Sequence, residues 1–196
     1  MIFPEIERDF LRCCRRVGPR HMGALAALGV EHPKADTDDK HRLPLWGAHA
    51  IEVDPNTGLF EFSALPAGSR RAAVIVPIGI GDRSDVWWIH IDDLVGFYLD
   101  RPDEWWLHRG VAYVLGADHI EDAGLYGAPV QLLATPLEWL QAGGIGAVVL
   151  DWRLCPAHEF GGVPSIEAAT RDLAEHLAVR HAQTAQHLPI TWRGAA

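Results

Sequence analysis

The sequence predicts an α+β fold, with helices at the N-terminus, a central and mainly antiparallel β-sheet, and an α/β layer at the C-terminal end. Three observations favour this class. Apolar residues recur at helical spacing near the N-terminus. The middle of the chain alternates apolar and polar residues in short runs that turn signals separate. Beyond residue 128, strand-like and helix-like segments alternate.

Two helices are expected at the N-terminus. The first runs from Pro4 to Val17, because a proline suits a first helical turn and Gly18-Pro19 ends the pattern. The run HMGALAALGV follows as a second, short helix. The polar and charged residues 31–43 then predict an exposed loop. We therefore expect a single domain, 1–196, with a helical segment (1–30), this loop, and an α+β body (44–196).

The central segment predicts a hairpin followed by further strands. AHAIEVD and LFEFSA alternate in hydrophobicity and flank PNTG, a strong turn signal. AAVIVPIG is a continuous apolar run, which is typical of a buried strand. DVWWIHID and EWWLHRG are the next two strands, and the Arg-Pro-Asp sequence between them predicts a turn.

The C-terminal third predicts alternating strands and helices. PVQLLA and GAVVLDW are expected as strands, and the helix between them has Thr135 as N-cap and Gly143 beyond its end. PSIEAATRDLAEHLAVRHA is amphipathic at helical spacing, so we expect one long helix with Ser165 as its cap. LPITW is the last expected strand.

Composition and charge exclude several function classes. The formal net charge of −9 argues against direct nucleic-acid binding, because phosphate contacts need clustered cations. No apolar run is long enough to span a membrane, and the acidic N-terminus does not fit a secretory signal, so a cytoplasmic location is expected. Three cysteines, two of them adjacent, predict neither a disulfide nor a tightly bound zinc ion. No glycine-rich stretch leads from a strand into a helix, so no cofactor is expected.

The motif Trp-Trp-x-His occurs twice, in DVWWIHID and in DEWWLHRG. Alternate residues of a strand point to opposite faces, so each strand has one apolar face and one face with Trp, His and polar groups. The second face carries the candidate binding residues: Trp88, His90, Asp92, Trp106 and His108. The apolar face of the second strand contains Trp105, which is expected in the core, whereas Trp106 is expected at the periphery. Replacing Trp105 with alanine should then unfold the domain, and Trp106→Ala should leave it folded.

Two interpretations of this Trp/His face stay open. A helix could cover it, in which case the indole and imidazole groups find internal hydrogen-bond partners. It could instead be a recognition surface, because tryptophan supplies contact area and histidine supplies switchable hydrogen bonds.

A longer stretch resembles a known family. DLVGFYLDRPDEWWLHRGVAYVLG, continued by TPLEWLQAGGIGAVVLDW, is similar to an uncharacterised family of prophage- and mobile-element-associated proteins of alphaproteobacteria. The matching positions are Asp93-Leu94-Val95, Arg101-Pro102, Trp105, Arg109-Gly110, Leu115-Gly116 and 136–143. The resemblance covers most of the chain, but it departs around residues 80–90, and the Arg-x-Gly element lacks its spacer here. It implies a phage-borne bacterial protein and carries over no catalytic residue.

Two function classes follow from these patterns. The first is a non-enzymatic accessory or interaction protein that binds a macromolecular partner through the Trp/His face, either another protein or a nucleic-acid-processing complex. The alternative is a metal-assisted hydrolase that uses His90, Asp92 and His108, since the first two lie two positions apart on one expected strand. Asp151 ends another expected strand, where α/β enzymes often place acids, but it could equally cap the next turn.

Overall fold

A computed structural model of the chain describes residues 4–30, 44–63, 72–80, 90–156, 158–182 and 189–192. The expected loop 31–43 and most of DVWWIHID therefore lie outside the described residues. The chain divides into two compact units, Met1–Ala112 and Tyr113–Ala196. The sequence predicts no boundary near residue 112, and the single-domain organisation stays a prediction.

The first unit begins with the two expected helices, α1 (Pro4–Cys14) and α2 (Pro19–Ala27). Helix α1 ends three residues before the expected Val17. Three residues of α1 are fully buried at a spacing of three or four positions: Ile6, Phe10 and Cys13. This stripe is the core face that the spacing predicts. Helix α2 buries only Leu25.

Six strands of the first unit are described: β1 (Gly47–His49), β2 (Ile51–Val53), β3 (Phe60–Phe62), β4 (Ala73–Ile80), β5 (His90–Tyr98) and β6 (Arg101–Leu107). Strands β2 and β3 form the expected antiparallel hairpin. The other four form an antiparallel sheet in the order β1-β4-β5-β6. Helix α1, the hairpin and this sheet share one hydrophobic core cluster.

The structure corrects the expected turn between the two Trp-Trp strands. The chain turns at residues 99–100, and Arg101, Pro102 and Asp103 belong to β6. The preceding, mainly apolar residues 94–98 lie inside β5, a strand with neighbours on both sides. Pro102 is tolerated because β6 lies at the edge of the sheet, where one side of the strand needs no ladder hydrogen bond.

A β-bulge interrupts β5 at Asp92. Ile78 of β4 faces Asp93, but Gly79 faces Ile91, so Asp92 has no residue opposite it. An extra residue of this kind shifts the alternation of faces. As a result Ile91 and Leu94, which are three positions apart, pack in the same core cluster.

Asp93 is fully buried and its carboxylate accepts backbone hydrogen bonds from two places in the chain. Its Oδ1 accepts from the N–H groups of Leu94 and Arg109, each at 2.8 Å. Its Oδ2 accepts from Val111 at 2.9 Å and from Ala112 at 3.4 Å. The side chain therefore fastens residues 109–112, which follow β6, to the central strand β5.

The second unit consists of β7 (Val114–Leu115), α3 (Ala117–Tyr126), β8 (Val130–Leu133), α4 (Pro136–Gln141), β9 (Ala147–Val149), β10 (Ile166–Ala168), α5 (Arg171–Ala182) and β11 (Ile190–Trp192). The sheet order is β11-β10-β8-β9-β7. All neighbours are parallel except β7, which pairs antiparallel with β9. This is the expected α/β layer.

The long helix expected over residues 164–182 is shorter in the structure. Ile166–Ala168 forms β10, and α5 begins only at Arg171. Its cap is Thr170, whose Oγ1 accepts the N–H of Leu173 at 3.2 Å, and not Ser165. The N-cap of α4 is Thr135, as expected, with Oγ1 3.1 Å from the N of Glu138.

Two glycines allow close backbone contact in the second unit. Gly116, before α3, has φ +77°, and a Cβ built on it would lie 2.2 Å from the carbonyl oxygen of Gly146. The same oxygen accepts the indole N–H of Trp139 at 3.0 Å. Gly146 itself has φ +90°. The junction of β7 and α3 can therefore approach the start of β9 only without a side chain at position 116.

No helix in the described part of the chain is long and apolar enough to cross a membrane.

The buried carboxylate of Asp93 gives a first prediction. Asp93→Asn replaces one acceptor oxygen with an NH2 group that faces backbone donors, so we expect a loss of about 2–4 kcal/mol in the free energy of unfolding. Asp103→Asn makes the same chemical change at an exposed position and should stay within about 0.5 kcal/mol of the parent. Urea unfolding measures both. Equal effects of the two substitutions would show that the Asp93 contacts contribute nothing.

A second prediction compares two glycines with similar positive φ. Gly127 has φ +66° and no atom within 4 Å of an added Cβ. Gly127→Ala should therefore lower the free energy of unfolding only by the cost of holding alanine in the left-handed conformation, about 1–2 kcal/mol. In Gly116→Ala the added Cβ also collides with the backbone of Gly146, so the free energy of unfolding should fall by about 1–3 kcal/mol more. Thermal unfolding of both variants tests the difference. Closely matching melting temperatures would contradict the close approach at Gly116.

Candidate functional site

The structure tests only part of the Trp/His face. Trp88 lies outside the described residues, and of His90 only the backbone is described. Asp92 is half-buried at the bulge. Trp106 and His108 are both half-buried, and the structure brings these two together.

Trp106 and His108 lie on one face of the sheet, as alternation along β6 predicts. Trp106 stands opposite Gly96 of β5, and the N–H of His108 donates to the carbonyl of Leu94 at 2.9 Å. The intervening Leu107 stands opposite Val95. The two candidate side chains therefore occupy consecutive positions on the same side of the strand pair.

Trp106 packs on the core cluster of the first unit. Its ring also meets that of Tyr98 edge-to-face, with centroids 5.8 Å apart at 69°. Gly96, the residue opposite Trp106, has no side chain. A Cβ at this position would lie only 3.2 Å from atoms of Ile75 and Phe60, so a larger residue would be crowded. The indole of Trp106 is consequently covered on its inner side and partly exposed outside.

His108 is held by the hairpin. Its Nδ1 lies 2.9 Å from the carbonyl oxygen of Phe60, and because a carbonyl only accepts, Nδ1 carries the hydrogen. The rings of Phe60 and Phe62 lie 5.1 and 5.2 Å from the imidazole. This arrangement leaves Nε2 as the acceptor of the neutral ring.

The aromatic contacts continue to His49, which is 8% exposed. The ring of His49 meets Phe62 at 4.8 Å and 62°. Its Nδ1 donates to the carbonyl of Ala50 at 2.8 Å, so Nε2 accepts from the guanidinium of Arg16 at 2.5 Å. Burial, with a smaller contribution from the charge of Arg16, holds the pKa of His49 below its ordinary value of 6.5.

The division into a core Trp105 and a peripheral Trp106 is wrong. Trp105 is half-buried rather than buried, and it is Trp106 that packs on the core cluster. The reason is that both faces of the sheet are covered, as the fully buried neighbours Leu94 and Val95 show. A side chain on the edge strand is then half-covered on either face.

The hydrolase alternative finds no support among the described side chains. They contain no group of three His, Cys, Asp or Glu residues that could hold a metal ion. The bulge at Asp92 also interrupts the alternation on which a shared face with His90 was based. Metal-assisted hydrolysis by His90, Asp92 and His108 stays a hypothesis.

The three thiols are poorly suited to nucleophilic chemistry. Cys13 and Cys155 are buried, and Cys14 is half-buried. Burial raises the pKa of Cys13 to about 12 and the pKa values of Cys14 and Cys155 to about 11. Since the thiolate is the reactive form, these side chains act as small apolar groups.

Polar side chains follow the parallel strands of the second unit, but they hold turns and helix ends. Glu138 accepts the N–H of Ala134 at 2.8 Å. Asp151 accepts from the backbone N–H of Arg153 at 2.8 Å and from its guanidinium at 2.7 Å. Hydrogen bonds from Arg153 lower the pKa of Asp151. Of the two sequence interpretations of Asp151, the structure shows the turn cap.

A second cluster escaped sequence analysis. The rings of Trp152 and His176 lie 4.5 Å apart, and the guanidinium carbon of Arg180 lies 5.5 Å from the Trp152 ring centre. His176 and Arg180 are four positions apart on α5, a spacing that places them on one helix face. That spacing was the only available signal, since nothing in the sequence indicates that Trp152 packs against this helix.

Comparison of the chain with protein-family models, with curated proteins and with solved structures gave no match. The resemblance to prophage-associated proteins therefore stays a prediction. Its matching residues include Asp93, which fastens residues 109–112, and Gly116, which passes close to Gly146. These positions have structural roles in the chain.

His49 gives a prediction about pH. Its folded-state pKa is lowered, so the unfolded chain takes up a proton at a higher pH than the folded chain does. The free energy of unfolding should therefore fall as the pH drops below about 6.5, the ordinary histidine value. His49→Gln should reduce this fall between pH 7 and pH 5, measured by urea unfolding. His158→Gln, at an exposed position, is the control. An unchanged pH dependence in His49→Gln would contradict the prediction.

Proposed function

We propose that this protein is a non-enzymatic interaction protein that binds an extended segment of a partner protein along β6, beside Trp106 and His108. The observation that carries the proposal is the position of two half-buried tryptophans on an edge strand. Among the described strands, β6 pairs only with β5. Trp105 and Trp106 lie on its opposite faces, both partly exposed.

An edge strand offers backbone hydrogen bonds to another chain. Its outer side presents N–H and C=O groups that can pair with an added strand. The N–H of His108 points to β5, because it donates to Leu94, so the alternate residues Leu107 and Trp105 direct their N–H groups outward. Leu107 already meets Leu59 in a bridge, so an added strand would continue this pairing towards the start of β6.

The charges on β6 favour a cationic segment. Asp103 and Glu104 are exposed beside the tryptophans. Glu104 lies 3.6 Å from the guanidinium of Arg101, and both of these side chains are more than half exposed. Charged residues on an edge also prevent uncontrolled strand pairing between copies of a protein. A partner strand with Lys or Arg opposite Asp103 and Glu104 forms ion pairs with these carboxylates. It can also place a cation on an indole ring.

The proposal includes an accessory role in a phage or mobile element and a cytoplasmic location. The residues that match the prophage-associated pattern support the former. The three cysteines, all of them free, support the latter, because disulfides are typical of oxidising compartments. The net charge of −9 argues against a nucleic-acid partner.

The test uses two alternating decapeptides, Val-Lys and Val-Glu, as extended probes of opposite charge. Fluorescence anisotropy should show that the Val-Lys peptide binds at least about tenfold more tightly, a difference of about 1.4 kcal/mol. Amide hydrogen exchange should show new protection at residues 103–106. The double variant Asp103→Lys/Glu104→Lys should abolish the preference.

A matched control separates the edge strand from net charge. Glu121→Lys/Asp122→Lys makes the same change in charge on exposed positions of α3 in the second unit. It should leave binding of the Val-Lys peptide within about twofold of the parent, since charges that do not contact the peptide are largely screened at physiological salt. Equal losses in both double variants, or binding without protection of β6, would rule out the edge strand as the site.

A further inference from the structure

Arg180 of α5 is a cation held in place by neutral groups. Its guanidinium donates through Nη1 to the carbonyl of Trp152 and through Nη2 to the carbonyl of Cys155 at 2.9 Å. None of the ion pairs found among the described residues includes Arg180. A guanidinium has five N–H donors, so the two bonds leave others for an acceptor outside the unit.

The neighbouring acids already have partners. Asp151 pairs with Arg153 at 2.7 Å. Glu159 accepts the hydroxyl hydrogen of Tyr113 at 2.9 Å. On α5 itself, Glu175 pairs with Arg171, which lies one turn earlier. The described carboxylates therefore leave the charge of Arg180 without a close counter-ion.

An aromatic ring lies beside this cation, and exposed apolar side chains lie close to both groups in the chain. Trp152 is half-buried between the core of the second unit and solvent, with His176 against its ring. Leu154, on the same turn, is 49% exposed, and Val179 of α5 is 63% exposed. Tryptophan and arginine carry much of the binding energy in protein interfaces, above all where their conformation is set before binding.

We infer that Trp152, His176 and Arg180 form a docking site for an acidic segment of a partner protein. A carboxylate of that segment accepts the remaining N–H groups of Arg180, and a neighbouring apolar side chain packs on Trp152 and Leu154. Charge complementarity selects the carboxylate, because Arg180 is preorganised and lacks a close carboxylate among the described residues.

A protein segment fits better than a nucleic acid. Nucleic-acid binding depends on several phosphate contacts, whereas this site offers a single cation without a counter-ion among the described residues, in a chain of net charge −9. The exposed Leu154 and Val179 suit apolar side chains. The site lies in the second unit and prefers the opposite charge to β6, so it goes beyond the function proposed above.

The test uses an alternating Leu-Glu decapeptide, with a Leu-Lys decapeptide and an oligothymidylate of similar length as competing probes. The Leu-Glu peptide should bind and should shift the NMR signals of the Trp152 indole and the His176 ring. Affinity should fall as salt is added. Tighter binding of oligothymidylate, or no shift at these two rings, would overturn the inference.

Two adjacent substitutions on α5 provide the matched pair. Val179 lies three positions after His176 and so shares its helix face, whereas Ala178 does not. Both are exposed, so neither change should unfold the helix. Val179→Glu should weaken Leu-Glu binding by about tenfold or more through repulsion, and Ala178→Glu by less than about twofold. Arg180→Gln should abolish binding if circular dichroism shows it folded.

Testing each variant with the other peptide shows whether the two sites bind independently. Asp103→Lys/Glu104→Lys on β6 should leave Leu-Glu binding unchanged, and Val179→Glu should leave Val-Lys binding unchanged. Equal weakening by Val179→Glu and Ala178→Glu would show that only net charge matters, and the docking site would then be rejected.

Discussion

The buried carboxylate of Asp93 is the interaction on which the architecture of the first unit depends. Moving a carboxylate out of water costs several kcal/mol, and this side chain is compensated by backbone N–H groups from its own strand and from residues 109–112. The chain must therefore turn directly after β6. That turn fixes the register in which His108 bonds to Leu94, and with it the face to which Trp106 and His108 belong.

Most of the side chains that the sequence offers as candidates for catalysis or metal binding stabilise the fold instead. Asp151 caps a turn, Glu138 caps a helix, and His108 bonds to the hairpin. The cysteines are thiols whose pKa values burial raises to about 11–12. What stays available at the surface is aromatic and charged: an acidic edge strand beside Trp106 in one unit, and a cation beside Trp152 in the other. This distribution of groups is why we propose binding rather than catalysis.

Local patterns predicted what local forces control. The stripe Ile6, Phe10, Cys13 marked the core face of α1, since residues three or four apart share one side of any helix. The turn PNTG marked the hairpin, and the structure shows Gly58 there with φ +70°. The strand alternation also placed Trp106 and His108 together correctly. It could not say how deeply either ring is covered, because coverage depends on α1 and the hairpin, which are distant in sequence.

By itself, the sequence determined the fold class, the two N-terminal helices, the hairpin and the net charge of −9, because spacing, turn chemistry and composition act over a few residues. Only the tertiary structure decided that residues 166–168 join a parallel sheet instead of extending α5, since a short apolar segment suits a helix or a buried strand equally well. It also decided the bulge at Asp92 and the meeting of Trp152 with Arg180. Each of these depends on contacts between residues far apart in the chain, whose free energy no local pattern contains.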